Sequence, residues 1–428
     1  MTRDFETRIV SHDVGGRGFN VELKYPDGFA DDVVHLLYEA DAEAAAEMLR
    51  TNARPTRFVA PFCLGAEDGA GTLRVTANPY FSSLLDPDPG FRTASCEVRL
   101  SGAIDGVDVE GARYDALYAE ECRVVRKVPV TVRALDSLRA AGELPFASPP
   151  DFLSIDTQGT EFEVMFGARS AIDESVLGLT VEVEFAPMYR GQKLFSSIFD
   201  FALEHGFAFA GFTYLQEVAP SRTPVGQRAR EFQSFGDALF LRRAETLRER
   251  APSADRLYLS LLKLAFISLC FERLGHTLDL IDQAERLQPG PALRAALEER
   301  RYYRLLMRLH EVAANAPRRF LHNDRGALVA ALRDAPEKTA KGTAHAVGAG
   351  EEVAPLGVAV ESILIGEGFH ALAAEVRTRR EQAQPYLLGF RGPRFNRPFT
   401  ERMSALLRAK CSPHVYALIR AVYHRVKP

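Results

Sequence analysis

The sequence predicts an α/β protein with a doubly wound, mostly parallel seven-stranded sheet and a β-hairpin insertion, followed by an all-α C-terminal domain. In the first half of the chain, short apolar runs alternate with amphipathic segments, which is typical of β-α-β units covering both faces of a parallel sheet. After residue 243, helical patterns follow one another without intervening strands. We therefore predict a domain over residues 1–243 and a helical domain over residues 244–428.

The predicted strands of the first half follow the apolar runs in order. Ala42–Leu49 and Leu194–Glu204 read as helices between them. The last two strands are expected to pair antiparallel. The predicted strands are residues 8–14, 33–38, 57–64, 152–155, 177–185, 207–212 and 238–241.

The alternation pauses over about residues 65–127, where Gly and Pro punctuate short strand-like pieces. We interpret this stretch as β-hairpins and loops inserted at the rim of the sheet. Val128–Leu135 is a further strand, and Asp136 is well placed to cap the helix that follows it.

The second half of the chain reads as consecutive helices. Arg256–Leu274 is apolar almost all round, which predicts a buried helix. About residues 335–355 are rich in Gly, Ala and Thr and predict a flexible loop, after which Val360–Gln382 and Glu401–Val426 resume as helix. Our hypothesis is that this region packs on the sheet or mediates homo-oligomer formation, and that it helps to choose the substrate.

Composition excludes several classes of function. The chain of 428 residues carries 53 basic and 57 acidic residues, a formal net charge of −4, so no global attraction to nucleic acid or anionic lipid is expected. No apolar window is long enough to span a membrane, and the N-terminus has no signal-peptide core. The five cysteines are scattered and odd in number, which predicts reduced thiols and a cytoplasmic location. Acidic residues are available, but no metal-ligand set stands out, and we assign no metal.

The stretch Asp151–Ala168 carries the strongest site signal. It reads as a buried strand, a polar turn and a short helix, and it places Asp156, Gln158 and Glu161 at the carboxyl end of the strand. Ligands bind at this end of the strands in open α/β sheets. Helix capping by Asp156 and support of the first turn by Glu161 would account for one or two of these residues, hardly for all three.

A glycine cluster follows the first predicted strand, and Glu39 ends the second. Glycines let a ligand approach the backbone, and a carboxylate at a strand end can hold a ribose diol. The spacing departs from G-x-G-x-x-G, and a tight turn with a surface glutamate explains these features about equally well. The candidate cofactor-binding residues are Asp13, Gly15, Gly16, Gly18 and Glu39, together with Asp156.

Two further pairs are weaker candidates. Glu182 and Glu184 lie on one face of a strand that otherwise reads as buried, so one of them faces a cleft or pairs with an arginine. A structural salt bridge is nearly as good an explanation. Ser82 and Ser83, in the insertion, are candidates for contact with substrate, although most serines in such loops contact no substrate. Glu161 is a further candidate for such a contact.

With these segments in order, the chain resembles the FkbM family of S-adenosylmethionine-dependent methyltransferases. The resemblance covers roughly residues 8–242 and depends on a D-x-Q-G-x-E core followed by E-V-E-F and Y-x-G-Q. The segments that carry it are DVGGRG, LLYEADAEA, SSLLDPD, VRALDSL, DFLSIDTQGTEFEVMFGA and VEVEFAPMYRGQKLFSSIFDFALEHGF.

The resemblance implies a seven-stranded methyltransferase sheet and transfer of a methyl group to an oxygen, typically a hydroxyl of a carbohydrate or secondary metabolite. It implies that the glycine loop and Glu39 hold S-adenosyl-L-methionine. The residues it implies as catalytic are Asp156 and Gln158, nearest the sulfonium and the acceptor hydroxyl, and Glu184 at the same mouth. Whether Asp156 or Glu184 takes up the proton stays open.

Three other functions remain as alternatives. The chain could be a non-catalytic methyltransferase-like binding or scaffold protein with a helical interaction module, although the intact set of Asp13, Glu39 and Asp156 argues against loss of cofactor binding. The glycine spacing disfavours NAD-dependent chemistry. The balanced charge disfavours methylation of nucleic acid, which leaves a small-molecule or glycan hydroxyl as the expected acceptor.

Overall fold

The computed structural model describes residues 5–15, 23–40, 42–51, 54–88, 103–104, 107–108, 120–218, 232–314 and 349–381. Within these ranges the strands are β1 (Ile9–Val14), β2 (Val33–Tyr38), β3 (Arg57–Ala60), β4 (Cys63–Leu64), β5 (Gly69–Thr76), β6 (Ala103–Ile104), β7 (Val107–Asp108), β8 (Val124–Arg133), β9 (Phe152–Ile155), β10 (Gly178–Glu184), β11 (Phe207–Val218) and β12 (Phe232–Arg242).

Seven of these strands form the central sheet, in the order β11-β12-β10-β9-β1-β2-β3, so the predicted mixed α/β fold with a seven-stranded sheet is confirmed. The pairs β2/β3, β1/β2, β1/β9 and β9/β10 are parallel. β12 runs antiparallel to both β10 and β11, as predicted for the closing pair. The chain builds outward from β1 to β3 and then continues on the other side of β1 with β9. The order therefore reverses between β1 and β9, where doubly wound sheets bind ligands.

The predicted strand over residues 57–64 is wrong in extent. β3 ends at Ala60, and Cys63–Leu64 pairs in parallel with β8 in a second sheet. Pro61 lies between the two and has no N–H to continue the ladder, so the chain leaves the main sheet there. The second sheet has the order β4-β8-β5, and β6 pairs with β7 as a short hairpin. The predicted insertion thus contributes a small three-stranded sheet.

Twelve α-helices are described within the resolved ranges: α1 (Ala42–Thr51), α2 (Leu135–Ala141), α3 (Glu161–Gly167), α4 (Arg169–Glu174), α5 (Phe195–Glu204), α6 (Ala244–Arg250), α7 (Ala254–Cys270), α8 (Leu274–Glu285), α9 (Pro291–Glu298), α10 (Arg301–Ala314), α11 (Ala349–Gly366) and α12 (His370–Glu381). Helices α2 to α5 bury their apolar side chains in one core with the sheet residues Val10, Leu36, Ile155 and Val181. These helices cover one face of the sheet.

Asp136 does not cap the helix in which it lies. α2 has Ala134 at its N-cap, with no side-chain hydrogen bond there. The Asp136 carboxylate instead accepts hydrogen bonds from the backbone N–H groups of Ser170, at 2.7 Å, and Ala171, at 3.0 Å. It therefore satisfies free N–H donors in the first turn of the neighbouring helix α4. Its negative charge also interacts favourably with the positive end of that helix dipole.

Helix α7 covers the opposite face of the sheet. As predicted, it is buried along most of its length. The rings of Phe152 and Phe271 stack at 5.5 Å, and a Cβ atom added at Gly178 of β10 would lie 3.2 Å from Ile267. Strand residues alternate between faces, so Phe152 and Gly178 point away from the core that α2 to α5 form. α7 thus supplies the second layer of the doubly wound sheet.

Contacts divide the chain into two units, Met1–Ala314 with Ser362–Leu372, and Asn315–Glu361 with Ala373–Pro428. Helices α6 to α10 therefore belong to the same unit as the sheet, whereas the sequence predicted that a separate helical domain begins at residue 244. In the second unit, the Arg377 guanidinium donates to Glu361 at 2.6 Å. The predicted loop is wrong in part, because α11 already begins at Ala349. The other predicted loop residues, 335–348, and the helix predicted over residues 401–426 lie outside the described residues.

Candidate active site

A cleft opens at the carboxyl ends of β1, β2 and β9. The space between its walls, about 820 Å³, includes a part that is open to solvent. Of the residues predicted from the sequence, it brings together Gly15, Glu39, Asp156, Gln158 and Ser82. These residues are far apart in the sequence, and the parallel strand order places them at one edge of the sheet.

The turn between β9 and α3 is strained. Gln158 has a φ of 58°, a left-handed conformation that non-glycine residues rarely adopt, and Gly159 follows with a φ of 104°. The Glu161 carboxylate holds this turn closed, because it accepts hydrogen bonds from the backbone N–H groups of Thr157 and Gly159, both at 2.9 Å. Glu161, predicted as a weak substrate contact, is buried and bound to the backbone of its own turn.

The Gln158 side chain joins three parts of the site. Its amide nitrogen donates to Asp156 Oδ1 at 2.8 Å and to Glu182 Oε2 at 2.7 Å. Its amide oxygen accepts from the Tyr189 hydroxyl at 3.0 Å. The backbone carbonyl of Gln158 accepts from the Ser83 hydroxyl at 2.6 Å. With both ends of the amide bonded, Gln158 holds the two carboxylates in fixed positions.

Tyr189 explains why glycine follows Gln158. A Cβ atom added at Gly159 would lie 2.7 Å from the Tyr189 ring, so a larger residue would collide with it. Gln192 fixes the tyrosine in turn, since its side-chain oxygen accepts from the backbone N–H groups of Met188, at 2.9 Å, and Tyr189, at 3.2 Å. The D-x-Q-G and Y-x-G-Q motifs therefore form one packed unit. The sequence carried Tyr189 in the second motif, but we assigned it no role.

Five carboxylates gather near the carboxyl ends of β9 and β10, at the start of α3 and in the middle of β12. Ile155 pairs with Val181, so the next residues along the two strands, Asp156 and Glu182, are neighbours. Glu182 in turn pairs with Asp237 on the antiparallel strand β12. Within the described part of the chain, none of the five forms an ion pair with Lys or Arg. The members of this acidic cluster are Asp156, Glu161, Glu182, Glu184 and Asp237.

Burial raises the pKa of every carboxyl group in the acidic cluster, because the charged form loses its hydration. The pKa values of Glu161 and Asp237 both rise to about 7. The charge of Asp156 adds to the effect of burial at both groups. The pKa values of Glu182 and Glu184 rise further above the ordinary value, and the neighbouring carboxylates contribute. For Asp156, hydrogen bonds from Gln158 and Glu182 partly offset the increase that burial causes. Burial and the mutual repulsion of the carboxylates thus act in the same direction on these groups.

Gly15 and Glu39 form the opposite wall of the cleft. Gly15 has a φ of 92°, and a Cβ atom there would lie 1.7 Å from the backbone oxygen of Asp156. Only glycine lets β1 leave the sheet so close to the end of β9. Glu39 follows β2 directly and is 8% exposed. The backbone of one strand end and the carboxylate of the next thus border the same space.

Asp13 lies outside the lining of the cleft and is buried. Its carboxylate instead bonds to His35 Nδ1, at 2.9 Å, and accepts from the Ser11 hydroxyl at 3.0 Å. Gly16 and Gly18 lie outside the described residues. The His35 contact could not be predicted from local sequence, because it arises from the pairing of β1 with β2.

Glu184 does not line the cleft either. It is 1% exposed, and neither of its carboxylate oxygens has a hydrogen-bond partner among the described residues. The Gln192 amide lies near enough to lower the pKa of Glu184, but its nitrogen likewise makes no bond of hydrogen-bond geometry. We expected Glu184 at the mouth, and the structure instead places it in the buried part of the acidic cluster.

The insertion provides the remaining wall of the cleft. Ser82 borders the cleft, where its hydroxyl oxygen accepts from the backbone N–H of Thr76 at 3.3 Å. Ser83 is buried and supports Gln158 rather than facing the opening. Tyr80, which the sequence analysis did not single out, lines the cleft and is 63% exposed. An exposed tyrosine beside a row of apolar residues offers a flat surface for a ligand.

A comparison with protein families bears on the class of protein to which this site belongs. Residues 123–209 match the methyltransferase FkbM domain, which confirms the predicted resemblance to the FkbM family over that segment. The matched segment contains Asp156, Gln158, Glu161, Glu182 and Glu184. It does not include the strands that carry Gly15 and Glu39.

A solved structure, that of the methyltransferase FkbM from Methylobacillus flagellatus KT, is similar to the chain with 12% sequence identity and a TM-score of 0.27. The alignment covers 56% of this chain and 48% of that protein, so the chain spans about half the length of that relative. No curated protein matches the chain. Among the described helices, none is long and apolar enough to cross a membrane.

Proposed function

We propose that this protein transfers the methyl group of S-adenosyl-L-methionine to a hydroxyl of a small molecule, a carbohydrate or a secondary metabolite. The observation that carries the proposal is the convergence of Gly15, Glu39 and Asp156 on one cleft, from the ends of three neighbouring strands. The methyltransferase domain match over residues 123–209 supplies the reaction class.

The residues at the cleft suit the cofactor. Glu39 offers a carboxylate at a strand end, where it can accept hydrogen bonds from both hydroxyls of a ribose. Gly15 has no side chain to block the approach of the methionine part to the backbone. We propose the same contact for the neighbouring Gly16 and Gly18. Asp13 is hydrogen-bonded to His35 and would support the site by fixing the end of β1 beneath the cleft.

The bound cofactor would supply an activated methyl group on a sulfonium with a good leaving group. The protein must then align the acceptor hydroxyl and accept its proton. Asp156 lines the cleft and is held by Gln158, and its raised pKa makes it a stronger base than an exposed aspartate. We therefore propose Asp156 as the base and Gln158 as the residue that positions it. Glu184 would influence Asp156 through its charge, because both belong to the acidic cluster.

The insertion would contact the acceptor. Leu73, Val75 and Leu84 line the cleft with Tyr80, and the Ser82 hydroxyl borders the same space. Sugar rings and polyketides carry apolar faces between their hydroxyls, and an exposed tyrosine next to aliphatic side chains suits such a surface. The insertion is thus the region in which we expect the choice of acceptor to be encoded.

Calorimetry with S-adenosylmethionine tests the proposal. We expect saturable binding to the full chain and roughly 10-fold to 100-fold weaker binding to Glu39→Gln, which loses charge-assisted hydrogen bonds. Glu47→Gln is the matched control, because Glu47 is an exposed glutamate on α1 that pairs with Arg50. Absence of binding in the high micromolar range would favour the alternative, a non-catalytic methyltransferase-like binding protein.

Labelled cofactor then identifies the acceptor. Candidate glycans and metabolites are incubated with the enzyme and screened for the mass gain of one methyl group. We also propose a cytoplasmic location, to which the reduced thiols of Cys63 and Cys270 lend support.

A further inference from the structure

The acidic cluster contains a set of oxygens arranged as cation ligands. One carboxylate oxygen from each of Asp156, Glu161 and Glu182 lies within 4.8 Å of the other two. Ligands on opposite sides of a divalent cation are separated by twice the metal–oxygen distance, about 4.2 Å for Mg²⁺ and about 4.6–5.2 Å for Ca²⁺. An upper limit of 4.8 Å allows the three oxygens to share the coordination sphere of one such ion.

Glu184 provides a second, independent observation. Its carboxylate is buried, and neither oxygen has a hydrogen-bond partner among the described residues. It lies two residues after Glu182 on β10, hence on the same face of the sheet. The charges of Glu161 and Asp156 act on it directly. A buried carboxylate without partners is costly unless a cation or a proton neutralises it.

The other hydrogen bonds leave room for a cation. Gln158 and the backbone of the turn donate to the three carboxylates, but they supply no positive charge. A carboxylate accepts up to four hydrogen bonds or ligand contacts. These donors thus orient the carboxylate oxygens, as hydrogen-bond donors behind metal ligands commonly do.

We propose that Asp156, Glu161 and Glu182 bind a hard divalent cation such as Mg²⁺ or Mn²⁺, and that the buried Glu184 carboxylate adds negative charge beside them. The donor set consists of oxygens alone, which favours these ions over zinc or copper. The sequence had led us to assign no metal. The ligands come from β9, α3 and β10, and only the parallel pairing of β9 with β10 brings them together.

The site would have a consequence for the chemistry, which rests on the function proposed above. Asp156 borders the cofactor cleft as well as the cation site. A bound cation would fix the position of this carboxylate at the edge of the cleft, where the acceptor hydroxyl would lie.

Mn²⁺ binding to the full chain tests the inference without cofactor or acceptor. Electron paramagnetic resonance counts free Mn²⁺, and we expect one bound ion per chain. Calorimetry in two buffers of different ionisation enthalpy should show that protons leave the protein as Mn²⁺ binds. No binding up to about 1 mM Mn²⁺, the weak end of carboxylate sites, would overturn the proposal. That result would leave the S-adenosylmethionine binding test unaffected.

Two isosteric variants locate the ion. Glu182→Gln should weaken Mn²⁺ binding at least about 10-fold, because it removes one ligand charge. Asp200→Asn, which changes an exposed carboxylate on α5, should bind as the natural protein does. Should Glu182→Gln fail to fold, Glu184→Gln serves instead, and its Mn²⁺ affinity should fall as well. Equal binding in the cluster variants and the control would show adventitious surface binding and overturn the proposal.

Discussion

Two aspartates lie five residues apart at opposite ends of β9, and they meet different surroundings. Asp151 precedes the strand, and its Oδ2 accepts from the Lys263 ammonium at 2.7 Å and from the backbone N–H of Val10 at 2.9 Å. Both side chains of this ion pair are almost fully buried. Asp156 follows the strand, and its neighbours are the Gln158 amide and other carboxylates.

The comparison distinguishes a buried carboxylate that stabilises the fold, Asp151, from one that is available to a ligand, Asp156. A buried carboxylate needs compensation, and at Asp151 a lysine on α7 provides it, which also ties that helix to the sheet. At Asp156 no cation is provided by the described part of the chain, and the turn beside it is held in a strained conformation. Such uncompensated, strained positions cluster at functional sites. The amino end of β9 is therefore built for stability and its carboxyl end for binding.

The largest effect expected from this contrast is on the rate. Asp156→Asn should lower kcat about 10²-fold to 10⁴-fold, the usual contribution of a general base, because an amide cannot accept the proton. The free energy of unfolding should not fall, since the substitution relieves repulsion among the carboxylates. Steady-state kinetics with the identified acceptor measures the first quantity and urea unfolding the second. A variant with normal kcat would exclude Asp156 as the base.

Asp151→Asn should show the reverse pattern. The variant leaves Lys263 buried without its counter-ion, which should lower the free energy of unfolding by about 3–5 kcal/mol. Its kcat should stay close to that of the natural protein at temperatures where it is folded. Urea unfolding measures the loss, and Glu47→Gln, in an exposed pair with Arg50, should change stability by only about 0–1 kcal/mol. Equal losses in the two variants would contradict the structural role of Asp151.

A smaller effect concerns pH. The pKa of Asp237 rises to about 7 in the folded protein, from a value near 4 in the unfolded chain. Between these values the folded state binds more protons, so this group makes the free energy of unfolding fall as pH rises, and the fall ends above about pH 7. Asp237→Asn should remove that contribution.

The variant should therefore gain stability relative to the natural protein by roughly 1–3 kcal/mol as pH increases from about 4.5 to about 7.5. Urea midpoints of both proteins across this range measure the difference. Parallel pH profiles would show that Asp237 has an ordinary pKa. The same comparison at Asp200, an exposed aspartate on α5, serves as the control, because its substitution should leave the profile unchanged.

Much of the fold could be predicted because periodicity and punctuation are local signals. The strands at Ile9, Val33 and Phe152 and the antiparallel closing pair follow from apolar runs and their breaks. The extent of β3 was missed because the apolar run continues through Pro61. The position of α7 could not be predicted from its own sequence, since a helix that is apolar all round shows that it is buried but not against what.

The site was predicted only in part, because local sequence indicates residues at strand ends but not the contacts between strands. Asp156 and Gln158 stand at a strand end, and that position alone indicates the cleft. The bond of Asp13 to His35 and the burial of Glu184 depend on which strands become neighbours. Tyr189 lies 31 residues after Gln158 and touches it only because β10 pairs with β9. Contacts between elements distant in the sequence require the register of the sheet.

A crystal structure of the full chain with S-adenosylhomocysteine tests the proposed cofactor site. We expect the ligand to lie in the cleft, with its ribose hydroxyls on the Glu39 carboxylate, its methionine part against the backbone at Gly15 and its sulfur nearest Asp156. A ligand bound elsewhere, or with its ribose away from Glu39 and its sulfur away from Asp156, would contradict it.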